Sequence, residues 1–273
     1  MVERMRRIKA LSRLIVLDGL RRYSVIGLAL FALAGIAGGL VFFDFIPRDI
    51  GRATNDLLFS IIWLAGLIFL LFHAVQVASW DSNNGALHTY LARPVTRTEY
   101  LLSLYSGLAF LLVLLNVILG GGGWLLLLFI KSSVAEVYFP HLSLPFYLLT
   151  CFGLYFIQLV MLAAILVISS AIRGSFPVLL LTLCYYFIST GLPVVRESIK
   201  ARSGNPDSYL NVLLKWLTAV FPDFSHLDFK SSVTSPGFIY STTDVTLTFF
   251  MFALYVIISL WLACAVLERR DLQ

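Results

Sequence analysis

Leu101-Leu-Ser-Leu-Tyr-Ser-Gly-Leu-Ala-Phe110-Leu-Leu-Val-Leu-Leu-Asn-Val-Ile-Leu-Gly120-Gly-Gly-Gly-Trp-Leu-Leu-Leu-Leu-Phe-Ile130 contains no charged residue. About 20 such residues, wound as a helix, cross the hydrocarbon core of a bilayer. Five more uncharged stretches flank it: Tyr23–Phe43, Leu57–Trp80, Leu142–Ile172, Gly174–Val195 and Val245–Leu267. Each exceeds the roughly ten residues of a transmembrane β-strand, and none alternates strictly between polar and apolar. A helix satisfies its own backbone hydrogen bonds in lipid, so the pattern predicts an all-α integral membrane protein with a six-helix bundle.

Composition agrees. Hydrophobic residues make up 59% of the chain and charged residues 13%, against roughly 25% charged in soluble domains. With 273 residues, the spans leave little chain for a soluble module, and residues 1–273 read as one domain. The net charge of +5 does not point to nucleic acid, because the basic residues are distributed by topology. Arg4, Arg6, Arg7, Lys9, Arg13, Arg21 and Arg22 all precede the first span. That asymmetry places the N-terminus in the cytoplasm, and six crossings return the C-terminus, with Arg269 and Arg270, to the same side. The charged start and the apolar run after it are both too long for a cleaved signal peptide, so a retained first helix is expected. Cys151, Cys184 and Cys264 lie singly within apolar stretches. They read as small buried hydrophobes, not as redox or metal groups.

Between the spans the chain is informative in four places. Residues 1–22 form a basic amphipathic helix, with Met5, Ile8, Leu11 and Ile15 at helical spacing. Such a helix suits the membrane interface, as a topology anchor or as an elbow touching a cytoplasmic partner. Asp44–Asp56 reads as a short external loop. The third helix is predicted from about Arg97 to Ile130, roughly 50 Å at 1.5 Å per residue. Its four glycines, Gly120–Gly123, serve either to loosen it or to admit a close neighbour. Arg173-Gly174 forms a tight turn, and residues 196–244 form the longest external segment. A helix beginning near Pro206 and ended by Pro222 would lie there on the outer leaflet.

No phosphate loop, nucleophile elbow, His-Glu-x-x-His or Cys-x-x-Cys occurs. The chain therefore has no recognisable nucleotide, hydrolase or metal site of its own, and no cofactor is expected on it. Four polar residues fall inside spans: His73, Gln76, Asn116 and Gln158. His73 and Gln76 share a helix face by their spacing. These residues either make interhelical hydrogen bonds or line a substrate path. In-membrane carboxylates, the usual proton relays, are missing, so a transporter of this composition would need an external energy source.

The short cytoplasmic segment between the second and third spans, residues 81–99, is the most specific. It reads Asp81-Ser-Asn-Asn-Gly85-Ala-Leu87-His88-Thr-Tyr-Leu91-Ala-Arg93-Pro94-Val-Thr96-Arg97-Thr-Glu99. Asn83 or Asn84 can cap a short helix that Pro94 stops, and Thr96 with Glu99 matches a capping box for the next helix. The segment, continuing into Tyr100-Leu-Leu, resembles the hallmark of the type-2 ATP-binding-cassette (ABC) permeases. The order of spans and the long external segment before the last one are also similar. The chain departs from the family pattern at Ala86, where threonine is usual, and at Leu104, where a basic residue is common.

The resemblance implies a permease of the bacterial inner membrane, working as two copies with two cytoplasmic ATPase subunits that bind ATP and Mg. It implies that residues 81–99 form a coupling helix docked on the ATPase, through Asp81, Gly85, Leu87, His88, Leu91, Arg93, Pro94, Arg97 and Glu99. Export is the commoner direction in that family. Two alternatives stand beside it: a membrane scaffold without transport activity, and a membrane enzyme using Asp207, Asp223, His226 and Asp228 of the external segment, although Asp223, His226 and Asp228 read more simply as a capped, wet loop at the end of the interfacial helix.

Overall fold

Long apolar runs without interruption become long helices, and the computed structural model is helical throughout. It describes residues 2–21, 24–40, 50–83, 96–134, 142–201, 221–234 and 242–269, and no strand occurs among them. Helix α1 spans Val2–Arg21 and α2 spans Ser24–Leu40. Helix α3, Ile50–Ile68, passes through a π-turn at Phe69–Ala74 into α4, Val75–Asn83. Then come α5, Arg97–Ser133, α6, Leu144–Ala171, and α7, Ser175–Ala201. A 3₁₀ turn at Phe224–Leu227 and a short α8, Lys230–Thr234, precede α9, Thr242–Arg269.

Five segments are long and apolar enough to cross a membrane: α3–α4, α5, α6, α7 and α9. A sixth follows if α1 and α2, bent by 56° relative to each other, count as one span. Five of the six predicted spans are thus met directly, as a multi-pass membrane protein requires.

The direction of each helix follows from its neighbours. Gly19 of α1 adjoins Leu111 of α5, and Leu33 of α2 adjoins Gly122, so α1 and α2 run parallel to α5. Helix α3 runs the other way, with Leu58 beside Gly123 and His73 beside Gly19. Helix α6 is also antiparallel to α5: Tyr147 donates to the Gly120 carbonyl at 2.6 Å, and Gln158 meets Asn116 further down. The N-terminal helix, the start of α5 and the end of α9 therefore gather at one end of the bundle.

Helix α5 is the axis of this arrangement. It has 37 residues, or about 55 Å at 1.5 Å per residue, and it is one continuous helix through all four glycines. The glycines act by close packing, not by loosening. A Cβ at Gly123 would lie 2.5 Å from Leu58, one at Gly122 2.9 Å from Leu33, and one at Gly120 3.4 Å from Cys151. Small residues let helices approach where lipid supplies no hydrophobic drive to associate. Only Gly121 of the four has open space beside it. The core formed around α5 includes Leu58, Phe59, Leu108, Leu112, Leu115, Tyr147 and Met161.

Helix α1 packs on the bundle, with Ile15 and the Ser12 carbonyl pressed against Gly107 of α5. Three expectations need correction. The loop expected over Asp44–Asp56 is already helical from Ile50, with Gly51, Thr54 and Asn55 buried and Arg52 and Asp56 exposed. An amphipathic helix start of this kind reads as loop when only charge is counted. The cysteines are not all buried, since Cys184 is exposed on α7 and the other two are half-buried. Finally, residues 221–234 are not a wet loop. Phe224, Leu227, Phe229 and Val233 are buried against the bundle, and Asn55 Nδ2 donates to the Lys230 carbonyl at 3.0 Å. The interfacial helix expected between Pro206 and Phe221 lies outside the described residues. So does Asp207.

The Arg173-Gly174 turn is as expected. Gly174 has φ +106°, a conformation open to glycine and strained for other residues. It reverses the chain between α6 and α7 at the end where α1 and the start of α5 lie.

Candidate functional site

The foot of α5 is where three distant parts of the chain converge. Four backbone N–H groups at a helix start lack partners within the helix. Thr96 and Glu99 satisfy two of them reciprocally. The Glu99 N–H donates to Thr96 Oγ1 at 3.3 Å, and the Thr96 N–H donates to Glu99 Oε2 at 3.1 Å. This is the capping box predicted from sequence.

Glu99 is 2% exposed. A carboxylate so placed needs partners to offset its lost hydration. With Oε2 engaged at the cap, Oε1 faces Arg4 Nε at 3.5 Å and Arg7 Nη2 at 3.7 Å. Arg4 also donates to Thr98 Oγ1 at 3.0 Å. The two arginines are themselves about half exposed, so their attraction to Glu99 is partly screened. What they add is position: α1 is held at the level of the cap.

Arg97 reaches the other way. Its Nη1 donates to the carbonyls of Leu267 at 2.9 Å and Glu268 at 3.1 Å. Those are among the last carbonyls of α9, which have no partner inside their helix and carry the negative end of its dipole. A guanidinium satisfies both needs. The resemblance implies that Arg97 docks on a partner ATPase; among the described residues it binds the end of α9. The foot of α5 is thus a clasp joining α1 and α9 to α5.

Of the other coupling residues, Asp81 lies in the last turns of α4. Gly85, Leu87, His88, Leu91, Arg93 and Pro94 lie outside the described residues. The described clasp begins at Thr96, two positions after Pro94 in the chain.

The four polar residues within spans separate into three environments. Asn116 Nδ2 donates to Gln158 Oε1 at 2.6 Å and to the Leu112 carbonyl at 2.8 Å, joining α5 to α6. The Gln158 amide lies over Gly66 of α3, where any Cβ would overlap it. Asn116 Oδ1 and Gln158 Nε2 have no hydrogen-bond partner among the described residues. His73 is half-buried, beside the ring of Phe69 at 5.0 Å and close to Gly19 of α1. Gln76 is exposed. His73 and Gln76, three positions apart, thus differ in burial. The π-turn at Phe69–Ala74 is wider than an α-turn, and it rotates the positions that follow it.

The aspartates of residues 221–234 bond to nearby residues of their own segment. Asp223 Oδ1 accepts from the Ser225 N–H at 3.0 Å and from its hydroxyl at 2.6 Å. Asp228 Oδ1 accepts from the Lys230 N–H at 3.2 Å. His226 stands 3.9 Å from Asp223. No group of three or more metal-ligating side chains forms among the described residues.

Arg4 and Arg7 are the site residues that sequence reading missed. Both were read as topology signals. Their one sequence clue is indirect: a capping-box glutamate has a second oxygen, and a basic helix is the nearest supply of cations. No protein-family model matches the chain, and no curated protein matches it.

Proposed function

We propose that this chain is the membrane-embedded subunit of an ATP-driven transporter, of the type-2 ABC permease kind. The observation that carries the reading is the clasp at the foot of α5. Thr96, Arg97 and Glu99, the last residues of the motif-bearing segment, form a capped helix end that is bonded to both α1 and α9. A push on that segment is delivered to three helices together.

In this reading the chain crosses the inner membrane of a bacterium six times, with both termini in the cytoplasm. Two copies pair, and each receives one ATPase subunit on its 81–99 segment. ATP and Mg bind on that partner. Closure of the ATPase pair displaces both segments, the displacement passes through Thr96 and Glu99 into α5, and the two copies rock between inward-open and outward-open forms. Export is the direction that the motif favours. The packed apolar interior favours a lipid-like or amphiphilic solute.

The test is co-purification with a soluble ATPase, followed by ATP turnover in reconstituted vesicles. Leu91→Asp or Arg93→Glu is expected to cut stimulated turnover at least tenfold while the subunit still inserts. Binding of an ATPase with turnover unchanged by either substitution would instead indicate a scaffold.

A further inference from the structure

The basic residues of α1 divide into two sets. Arg4 and Arg7 turn to Glu99. Lys9 and Arg13, one helical turn apart, lie on another face and form no ion pair among the described residues. They border a groove of about 560 Å³ between α1 and α5, also lined by Met5, Ser12, Leu17 and Phe110. That volume falls within the roughly 300–1,000 Å³ of ordinary ligand sites. The groove is mostly apolar, and its polar groups are two cations without an ion-pair partner among the described residues and the hydroxyls of Ser12 and Ser106.

We propose that this groove is a binding site for one anionic phospholipid. Its phosphate would sit between the Lys9 ammonium and the Arg13 guanidinium, both strong donors to phosphate oxygens. An acyl chain would run over Leu17 and Phe110. Three features select this occupant. The charge is complementary to an acidic headgroup. The apolar part continues along the direction in which α1 and α5 run together, and its Met5, Leu17 and Phe110 are exposed on the surface of the bundle. A basic amphipathic helix also meets anionic lipid at the membrane surface in any case. A zwitterionic lipid would fill the same apolar surface but bring an ammonium group toward two cations, so the site discriminates by headgroup charge.

The test uses the full-length chain in detergent, with native mass spectrometry counting bound lipid during titration with phosphatidylglycerol or phosphatidylcholine. One phosphatidylglycerol is expected to be retained at a concentration at least tenfold below that needed for phosphatidylcholine. Lys9→Gln with Arg13→Gln is expected to abolish that preference. Ser106→Leu, which narrows the groove without changing charge, is expected to weaken retention of both lipids. The paired control Arg52→Gln with Lys131→Gln removes the same charge from exposed positions at the opposite end and is expected to leave the preference intact. Equal retention of the two lipids would overturn the proposal. So would a preference that survives the Lys9 and Arg13 substitutions, or one lost equally in the control. Glycerol phosphate, which has the anion but no chains, is expected not to compete; competition at lipid-like concentration would also overturn it. None of these outcomes depends on an ATPase partner, so the result stands apart from the transport reading.

Discussion

Glu99 shows how much one side chain can organise when both its oxygens are used. Oε2 closes the start of α5 and Oε1 holds α1. Replacing a capping Ser or Thr costs about 0.5–2 kcal/mol, so Thr96→Ala should lower the apparent melting midpoint in detergent modestly, and Thr96→Ser should restore it. Glu99→Ala should do more, because it removes the cap and the anchor of α1 together. Hydrogen exchange distinguishes the two effects. In Glu99→Ala, α1 should lose protection along with the first turn of α5, whereas Thr96→Ala should affect the first turn alone. Protection of α1 unchanged in both would mean that the arginines add nothing to its docking.

Asn116 and Gln158 make a second residue-scale test. Their interhelical bond has the geometry of a structural contact, and such bonds in membranes contribute about 0.6–2 kcal/mol. The substitutions Asn116→Leu and Gln158→Leu should each destabilise the bundle, and the double substitution should cost less than their sum because the pair acts as a unit. Strict additivity would indicate that the two amides work separately, as path-lining groups would.

At the scale of elements, the four glycines of α5 separate two roles that the sequence left open. Gly123 is pressed by Leu58, while nothing stands within 4 Å of a Cβ at Gly121. Gly121→Ala should therefore be neutral or stabilising by about 0.4–1 kcal/mol, since the helix gains propensity and the unfolded chain loses freedom. Gly123→Val should push α3 away and sharply lower the melting midpoint. Equal effects would refute the packing account. The contrast also shows where sequence reading stops. Thr96 and Glu99 are three residues apart, and their box was legible because its geometry is local. The use of Gly123 depends on Leu58, brought to it by the fold, and no pattern within α5 contains that fact. The π-turn at Phe69–Ala74 left no mark in a uniformly apolar run. The 221–234 segment did carry a signal: Phe224, Leu227, Phe229 and Val233 are spaced as a buried strip, but its aspartates and histidine drew the reading toward water.

Taken whole, the molecule has two unlike ends. Arg4, Arg7, Arg97 and Arg173 lie at the end that holds the clasp, whereas Arg52 and Lys131 share the other with Asp56 and Asp244. The positive-inside rule then predicts which end faces the cytoplasm. In a background with the native cysteines replaced by serine, Arg173→Cys and Arg269→Cys should react with an impermeant maleimide only in inside-out vesicles. Arg52→Cys should react only in intact spheroplasts. The reverse pattern would invert the topology and remove the 81–99 segment from any cytoplasmic ATPase.

The span of the clasp along the chain also sets an order of assembly. Arg4 leaves the ribosome long before its partner Thr98, 94 positions later, and Arg97 must wait a further 170 for the Leu267 carbonyl. During synthesis α1 is therefore made before Glu99, the carboxylate that its arginines hold. The clasp closes only once α9 has followed, so until then Arg97 lacks the carbonyls it binds.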